Sequence, residues 1–307
     1  MRPHSRPATA VRSMMISACV AFLAAASAFA DTGWKALDAM PAEVEAGNPW
    51  VRPRAFRAFK LDRDEMRKAL DKAPLEGTPA AKSNPAVVDL PMPSGELVRF
   101  NVIESPIMEP ELQTQFPEIR TYIVWGEGDR SVFGRIGMTP SGFHASINQL
   151  GQPSIQIDPY TMGDWDHYVS YTFNHYGRKP SFVCLTEGGS APPFQPRDAS
   201  SRTDDTLRTY RMACSATGEY TTFHSQANNR PSNVADGLAA VVTAFNRINQ
   251  ITETEMSVRF VLVAQNQLLI WTNPATDPFT DPTNPPLAND QNQSSLATRI
   301  GSPNYDI

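Results

Sequence analysis

The sequence predicts an α+β protein, in which an antiparallel β-rich region is followed by an incomplete α/β unit of βαβ form. Three observations carry this. The 27 prolines and 19% charged residues favour short strands and long connections over a helical bundle. Between residues 97 and 173 six short segments rich in aromatic and β-branched residues follow one another, separated by Gly, Pro, Asn or Asp. Between 207 and 271 the pattern changes to strand, long helix, strand.

In chain order, residues 1–30 form the first unit. Arg2, Arg6 and Arg12 precede the apolar run "MMISACVAFLAAASAFA", which ends in Ala28-Phe29-Ala30 before Asp31. A basic start, an apolar stretch too short for a membrane span and a small-x-small site predict a secretory signal peptide and an exported protein. Residues 31–95 read as a basic helix and a Pro/Ala linker. Within "VRPRAFRAFKLDRDEMRKALDKAP", Asp62 followed by Glu65 is a capping-box start for a short helix that Ala73-Pro74 closes. The interspersed acids make this a solvated helix face and not a nucleic-acid or membrane patch, and residues 73–95 have linker composition.

Residues 96–185 carry the six strand-like segments "LVRFNVIES", "IRTYIVWG", "VFGRIGMT", "GFHASIN", "SIQIDPY" and "WDHYVSYTF", a compact antiparallel unit. Residues 186–205, "TEGGSAPPFQPRDASSRTDD", read as a linker. In residues 206–307, "LRTYRMACSATGEYTTF" alternates as a strand with Tyr210, Met212, Cys214 and Ala216 on one face. "VADGLAAVVTAFNRINQI" places Val234, Leu238, Val241, Val242, Phe245 and Ile248 on one helical stripe, and "SVRFVLVAQNQLLIW" is a second strand region. Asn233 and Asp236 supply the helix cap and a charge suited to its dipole. Such a unit by itself is expected to leave a sheet edge unpaired and a helix face partly uncovered.

The formal net charge is −5; without residues 1–30 the chain has 24 basic against 32 acidic residues, a net −8, which disfavours nucleic-acid partners. No later segment is long and apolar enough to span a bilayer, so no membrane partner is expected after signal cleavage. A zinc-hydrolase helix needs two histidines four residues apart, and none of His4, His144, His167, His175 and His224 has that spacing. Gly188-Gly189-Ser190-Ala191-Pro192 lacks the last glycine of a nucleophile elbow, and no phosphate-cradling glycine loop is present.

Two polar clusters remain. Asp164, Asp166, His167 and His175 share "GDWDHYVSYTFNHYG", but His167 and His175 would lie about 27 Å apart on an extended strand, which makes a strand with exposed polar ends the better reading. Asp277, Asp281 and Asp290 in "TDPFTDPTNPPLANDQNQ" are oxygen donors of the calcium type, yet without the spacing of a calcium loop, and read as a proline-stiffened loop. Cys184, in "SFVCLTEGG", has three readings: a disulfide with Cys214, a buried free thiol, or a latency thiolate that occupies a catalytic zinc. Cys214, if unpaired, is a packing residue.

The order of segments then carries a family resemblance. The stretches at 90–126, "GFHASINQLGQPSIQIDPY" (142–160), "LRTYRMACSATGEYTTF" (207–223), "VVTAFNRINQITETEMSVRFVLV" (241–263), "TDPFTD" and "IGSPNYDI" together resemble the N-terminal portion of a bacterial reprolysin-like zinc metallopeptidase of the metzincin group. The resemblance implies that 96–185 is a β-rich pro-domain and that 206–307 opens a metallopeptidase catalytic domain, a metzincin-like upper subdomain. It also implies zinc and protein or peptide substrates for the full-length family. The family's HExxHxxxxxH helix has no counterpart in this sequence, so no catalytic, cofactor-binding or metal residue is carried over and no zinc is expected to bind. The expectation is a truncated, secreted or periplasmic proenzyme fragment without peptidase activity of its own. The alternative is a secreted β-rich interaction or inhibitor-like module.

Overall fold

The computed structural model describes residues 32–177, 206–281 and 284–307. The elements run β1 (Trp34–Leu37), α1 (Ala42–Glu45), β2 (Arg57–Leu61), α2 (Arg63–Leu70), α3 (Pro79–Ser83), β3 (Ala86–Pro91), β4 (Leu97–Glu104), α4 (Pro110–Gln115), β5 (Arg120–Gly126), β6 (Asp129–Thr139), β7 (Gly142–Gln149), β8 (Ile155–Thr161) and β9 (Asp164–Thr172). There follow β10 (Arg208–Met212), α5 (Gly218–Ala227), α6 (Val234–Met256), β11 (Val258–Leu262) and α7 (Pro285–Arg299). The fold is α+β.

Strands β1 to β9 form one antiparallel sheet in the order β1-β2-β9-β8-β7-β6-β5-β4-β3. The sheet rolls almost into a barrel. Thr32 Oγ1 donates to the Asp89 carbonyl and accepts from the Asp89 amide, both at 3.2 Å, and Ser170 Oγ donates to the Pro91 carbonyl at 2.7 Å, so the strands at one end approach β3 at the other. Alternation along each strand fills the interior: Val88, Leu90, Phe100, Val102, Tyr122, Val124, Ile136, Phe143, Ile147 and Ile157 are fully buried or nearly so. Trp34 contributes edge-on contacts to Phe59, Phe143 and Tyr168 at 5.2–6.3 Å between ring centroids.

The β6–β7 hairpin shows why its glycine is needed: Gly142 has φ +97°, and a Cβ there would lie 2.8 Å from the Tyr168 hydroxyl, which accepts from the Phe143 amide at 3.0 Å. Helix α2 starts as its sequence predicts, with Asp62 accepting from the amides of Asp64 and Glu65 at 3.1 Å. It buries Met66 and Leu70 in the barrel core.

In the C-terminal region β10 pairs in parallel with β11, with Met212 opposite Leu262, and α6 forms the crossover together with α5. This is the βαβ unit. Its core gathers Met212, Leu238, Val241, Val242 and Leu262, with Val234 and Phe245 partly buried; Ile248, at the end of the stripe, is exposed. Helix α6 ends at Ser257, whose φ of 54° is left-handed.

Four expectations change. Residues 31–95 contain three strands of the sheet besides a helix, and the linker reading of 73–95 gives way to α3, capped by Thr78 Oγ1 at 3.3 Å, and to β3, where Val88 and Leu90 alternate inward among prolines that hide the pattern. The predicted strand over 207–223 stops at Met212, because Thr217 Oγ1 accepts from the Tyr220 amide at 3.2 Å and starts α5. The second strand region stops at Leu262; a short 3₁₀ turn follows before Ile270 pairs with Ala216. The βαβ unit is also better covered than expected. Ile107 and Glu109 pair with β11 through hydrogen bonds to the Leu262 amide and carbonyl at 2.8 and 2.9 Å, and α6 lies against the outer face of β6 and β7. The signal-peptide and 186–205 linker readings lie outside the described residues.

Candidate functional site

Positions that alternate outward on β6, β7 and β8 would ordinarily meet water. Here they meet α6, and the result is a buried polar seam. Arg135 on β6 is 3% exposed. Its Nε donates to Asn246 Oδ1 at 2.7 Å, its Nη1 to both Glu253 oxygens at 2.9 and 3.2 Å, and its Nη2 to the Ser105 carbonyl and hydroxyl at 3.0 and 3.2 Å. Arg259 on β11 extends the cluster, donating to Glu253 at 2.6 Å and to Glu76 at 2.7 and 3.1 Å. Burial opposes the charge on Glu76, but hydrogen bonds from Arg259 and Ser105 hold its carboxyl below the ordinary value. All five donors of Arg135 are thus aimed at acceptors, the condition under which a buried guanidinium is tolerated.

The second cluster centres on Asp158 of β8, which is fully buried. The register that sets Ala145 opposite Ile157 places His144 opposite Asp158. His144 Nδ1–H donates to Asp158 Oδ1 at 2.9 Å, the Tyr171 hydroxyl donates to Oδ2 at 2.9 Å, and Arg247 of α6 donates a further bond to Oδ1. Burial works against ionisation of Asp158, yet Arg247 and then His144 hold it well below the usual carboxylate range. Burial, and next the Asp158 carboxylate, raise the Tyr171 phenol above its ordinary value.

Around this cluster the sheet, α5 and α6 enclose a cavity of about 150 Å³ bordered by Trp50, Ser141, His144, His224, Thr243 and Arg247. It shares Trp50, His224 and Arg247 with an open cleft of about 710 Å³ whose aromatic walls include Tyr171, Phe173, Tyr176 and Phe223. Trp50 stands 6.1 Å from the His144 ring and 5.6 Å from the His224 ring. Three buried nitrogens here have no hydrogen-bond partner: His144 Nε2, His224 Nδ1 and Arg247 Nε. Burial, with His144 second, pushes the His224 imidazole down to about 4.

The residues singled out from sequence do not converge on one centre. His167 Nδ1 is held by Asp164 at 2.8 Å, His175 Nδ1 meets Thr172 Oγ1 at 3.0 Å, and the Asp166 amide donates to Asp164 at 3.0 Å. Asp277 is structural: it accepts from the Gly218 amide at 2.7 Å, at the start of α5, and from the Phe279 amide at 2.9 Å. Asp281 is also partnered, and Asp290 sits on α7, a helix the loop reading missed. Cys214 has no disulfide partner among the described residues; it packs beside Asn266, and burial pushes its thiol up to about 11. Cys184 lies outside the described residues, so all three of its readings stand where the sequence left them. Asp158, Arg247 and Trp50 escaped sequence reasoning; the one available signal was a charged Asp158 among the apolar residues of "SIQIDPY".

Residues 206–307 match the family described as Metallo-peptidase family M12B Reprolysin-like. No curated protein and no solved structure matches the chain. Such a family implies a zinc ion and protein or peptide substrates. The residues present do not fit that ion: among the described residues no three His, Cys, Asp or Glu side chains gather as a metal site, and His144, the most buried histidine, already spends Nδ1 on Asp158 beside a guanidinium. Among the described residues no helix is long and apolar enough to cross a membrane.

Proposed function

We propose that the chain is an exported proenzyme segment of a zinc-dependent metalloendopeptidase, with a β-rich pro-domain ahead of the N-terminal part of a catalytic domain, and that it does not hydrolyse peptide bonds as it stands. The observation that carries this reading is the reprolysin-like match over 206–307, which falls on the βαβ unit that the large sheet clamps through Arg135 and Arg247. A pro-domain has to hold the catalytic unit in one orientation, and two arginine–carboxylate clusters between the sheet and a single helix suit that task. Export rests on the signal-like start of the sequence, and the acidic balance argues against nucleic-acid partners.

The purified chain, incubated with zinc and dialysed, should retain no stoichiometric metal and show no chelator-sensitive hydrolysis of casein. Retained zinc together with such hydrolysis would overturn the reading. The second reading, a secreted interaction or inhibitor-like module acting in trans, draws on the separate core that residues 32–177 form around Phe59, Tyr122 and Tyr168. Saturable capture of intact reprolysin-like peptidases by the chain would favour it over the first.

A further inference from the structure

The polar atoms around the inner cavity ask for a ligand that the two clusters themselves do not supply. Arg247 Nε–H is a buried donor with no acceptor, His144 Nε2 and His224 Nδ1 are buried and unpaired, and His144 is only 4% exposed. Leaving such groups bare is costly, so a site of this kind is built to be filled. A cation is a poor occupant, because the Arg247 guanidinium borders the same space. An anion fits better: Arg247 offers its unpartnered Nε–H, and a neutral His224 can donate from its unpartnered Nδ1. Water alone would satisfy the polar rim but leave the adjoining cleft, with its Tyr171, Phe173, Tyr176 and Phe223 walls, without an apolar partner. Phe173, Phe223 and Ile251 are 57%, 49% and 61% exposed, so the cleft presents large apolar side chains to solvent beside the polar pocket.

We propose that this cavity and cleft bind the C-terminal end of a peptide, the carboxylate entering beside Arg247, His144 and His224 and a large apolar last side chain lying against the aromatic walls. The cleft volume of about 710 Å³ suits an occupant of two or three residues. On its floor Ser146, Asn148, Ser154 and Gln156 provide hydroxyl and amide groups for the peptide's own backbone. The site lies at the junction of the sheet, α5 and α6, and does not depend on the proposed peptidase relationship.

The test is calorimetric titration of the full chain with three probes: acetyl-Ala-Ala-Phe as the free acid, the same peptide as its C-terminal amide, and phenylpropanoate. The acid should bind saturably at one site, and the amide about tenfold or more weaker, since hydrogen bonds to a charged group are lost. Phenylpropanoate should be weaker than the peptide acid. Phe223→Ala, at a side chain outside both ion clusters, should weaken the acid several-fold without altering the fold, as checked by circular dichroism. Equal binding of acid and amide, phenylpropanoate binding as tight as the peptide acid, or no saturable binding of the acid would each overturn the proposal.

Discussion

Replacing Asp158 by Asn removes one charge from a position with no solvent access and leaves its partners in place. With the Asn oxygen in the Oδ1 position His144 can still donate to it and the Tyr171 hydroxyl can turn to accept from the Asn Nδ2–H, but Arg247 loses the carboxylate that compensates it. Breaking a wholly buried pair costs about 3–5 kcal/mol; the Arg247 side chain is 36% exposed and can swing partly into water, so about 2–3 kcal/mol is expected here. With a urea m-value of about 3 kcal/mol/M for a chain of this size, the unfolding midpoint should fall by close to ~1 M. Adding Arg247→Met should recover part of the loss, with a coupling of about 1–2 kcal/mol in the double-mutant cycle. The cost should also fade in acid. The folded carboxyl is held below its ordinary 3.8, so its contribution is present above that pH and disappears as pH falls through the lowered folded value. A single-mutant cost under about 0.5 kcal/mol at neutral pH, or strictly additive effects, would refute the argument that this ion cluster holds α6 on the sheet.

Two further outcomes follow from the same chemistry. Because His224 drops from 6.5 to about 4 on folding, the unfolded chain binds the extra proton between those values, and stability should rise with pH across that window by about 2–3 kcal/mol. Urea midpoints at pH 4.5 and 7.5 should show this difference, and His224→Gln should flatten it; an unchanged slope would contradict the assignment. In a Cys184→Ser background, the Cys214 thiol, raised to about 11 by burial, should react with a disulfide reagent at pH 8 far more slowly in the native state than in urea, and equal rates would show the thiol to be accessible.

The fold was legible where one element made its own pattern. Helix α6 is announced by the stripe from Val234 to Phe245, α2 by Asp62 and Glu65, and the strands from β4 to β9 by aromatic and β-branched runs between turn residues. It was illegible where tertiary context decides. Strand β3 hides between prolines, α5 carries an alternation that reads as strand, and α7 opens on Pro285-Pro286 with mostly polar residues yet packs Leu296 and sets Arg299 over Trp271 at 4.1 Å. The candidate site was least legible of all. Asp158 and Arg247 stand 89 positions apart, and their pairing depends on an outward strand position meeting a helix instead of water. Spacing arguments about histidines test for local motifs, and His144 and His224 are brought to one cavity only by the docking of α5 and α6 on the sheet.

The main-chain bonds between residues 107–109 and Leu262 work as a splice between the earlier and later parts of the chain. A cut anywhere between Gly177 and Leu207 would sever the covalent thread yet leave both fragments zipped along β11. Only when they drift apart would that rim become a bare template, open to any extended polypeptide able to take the vacated place.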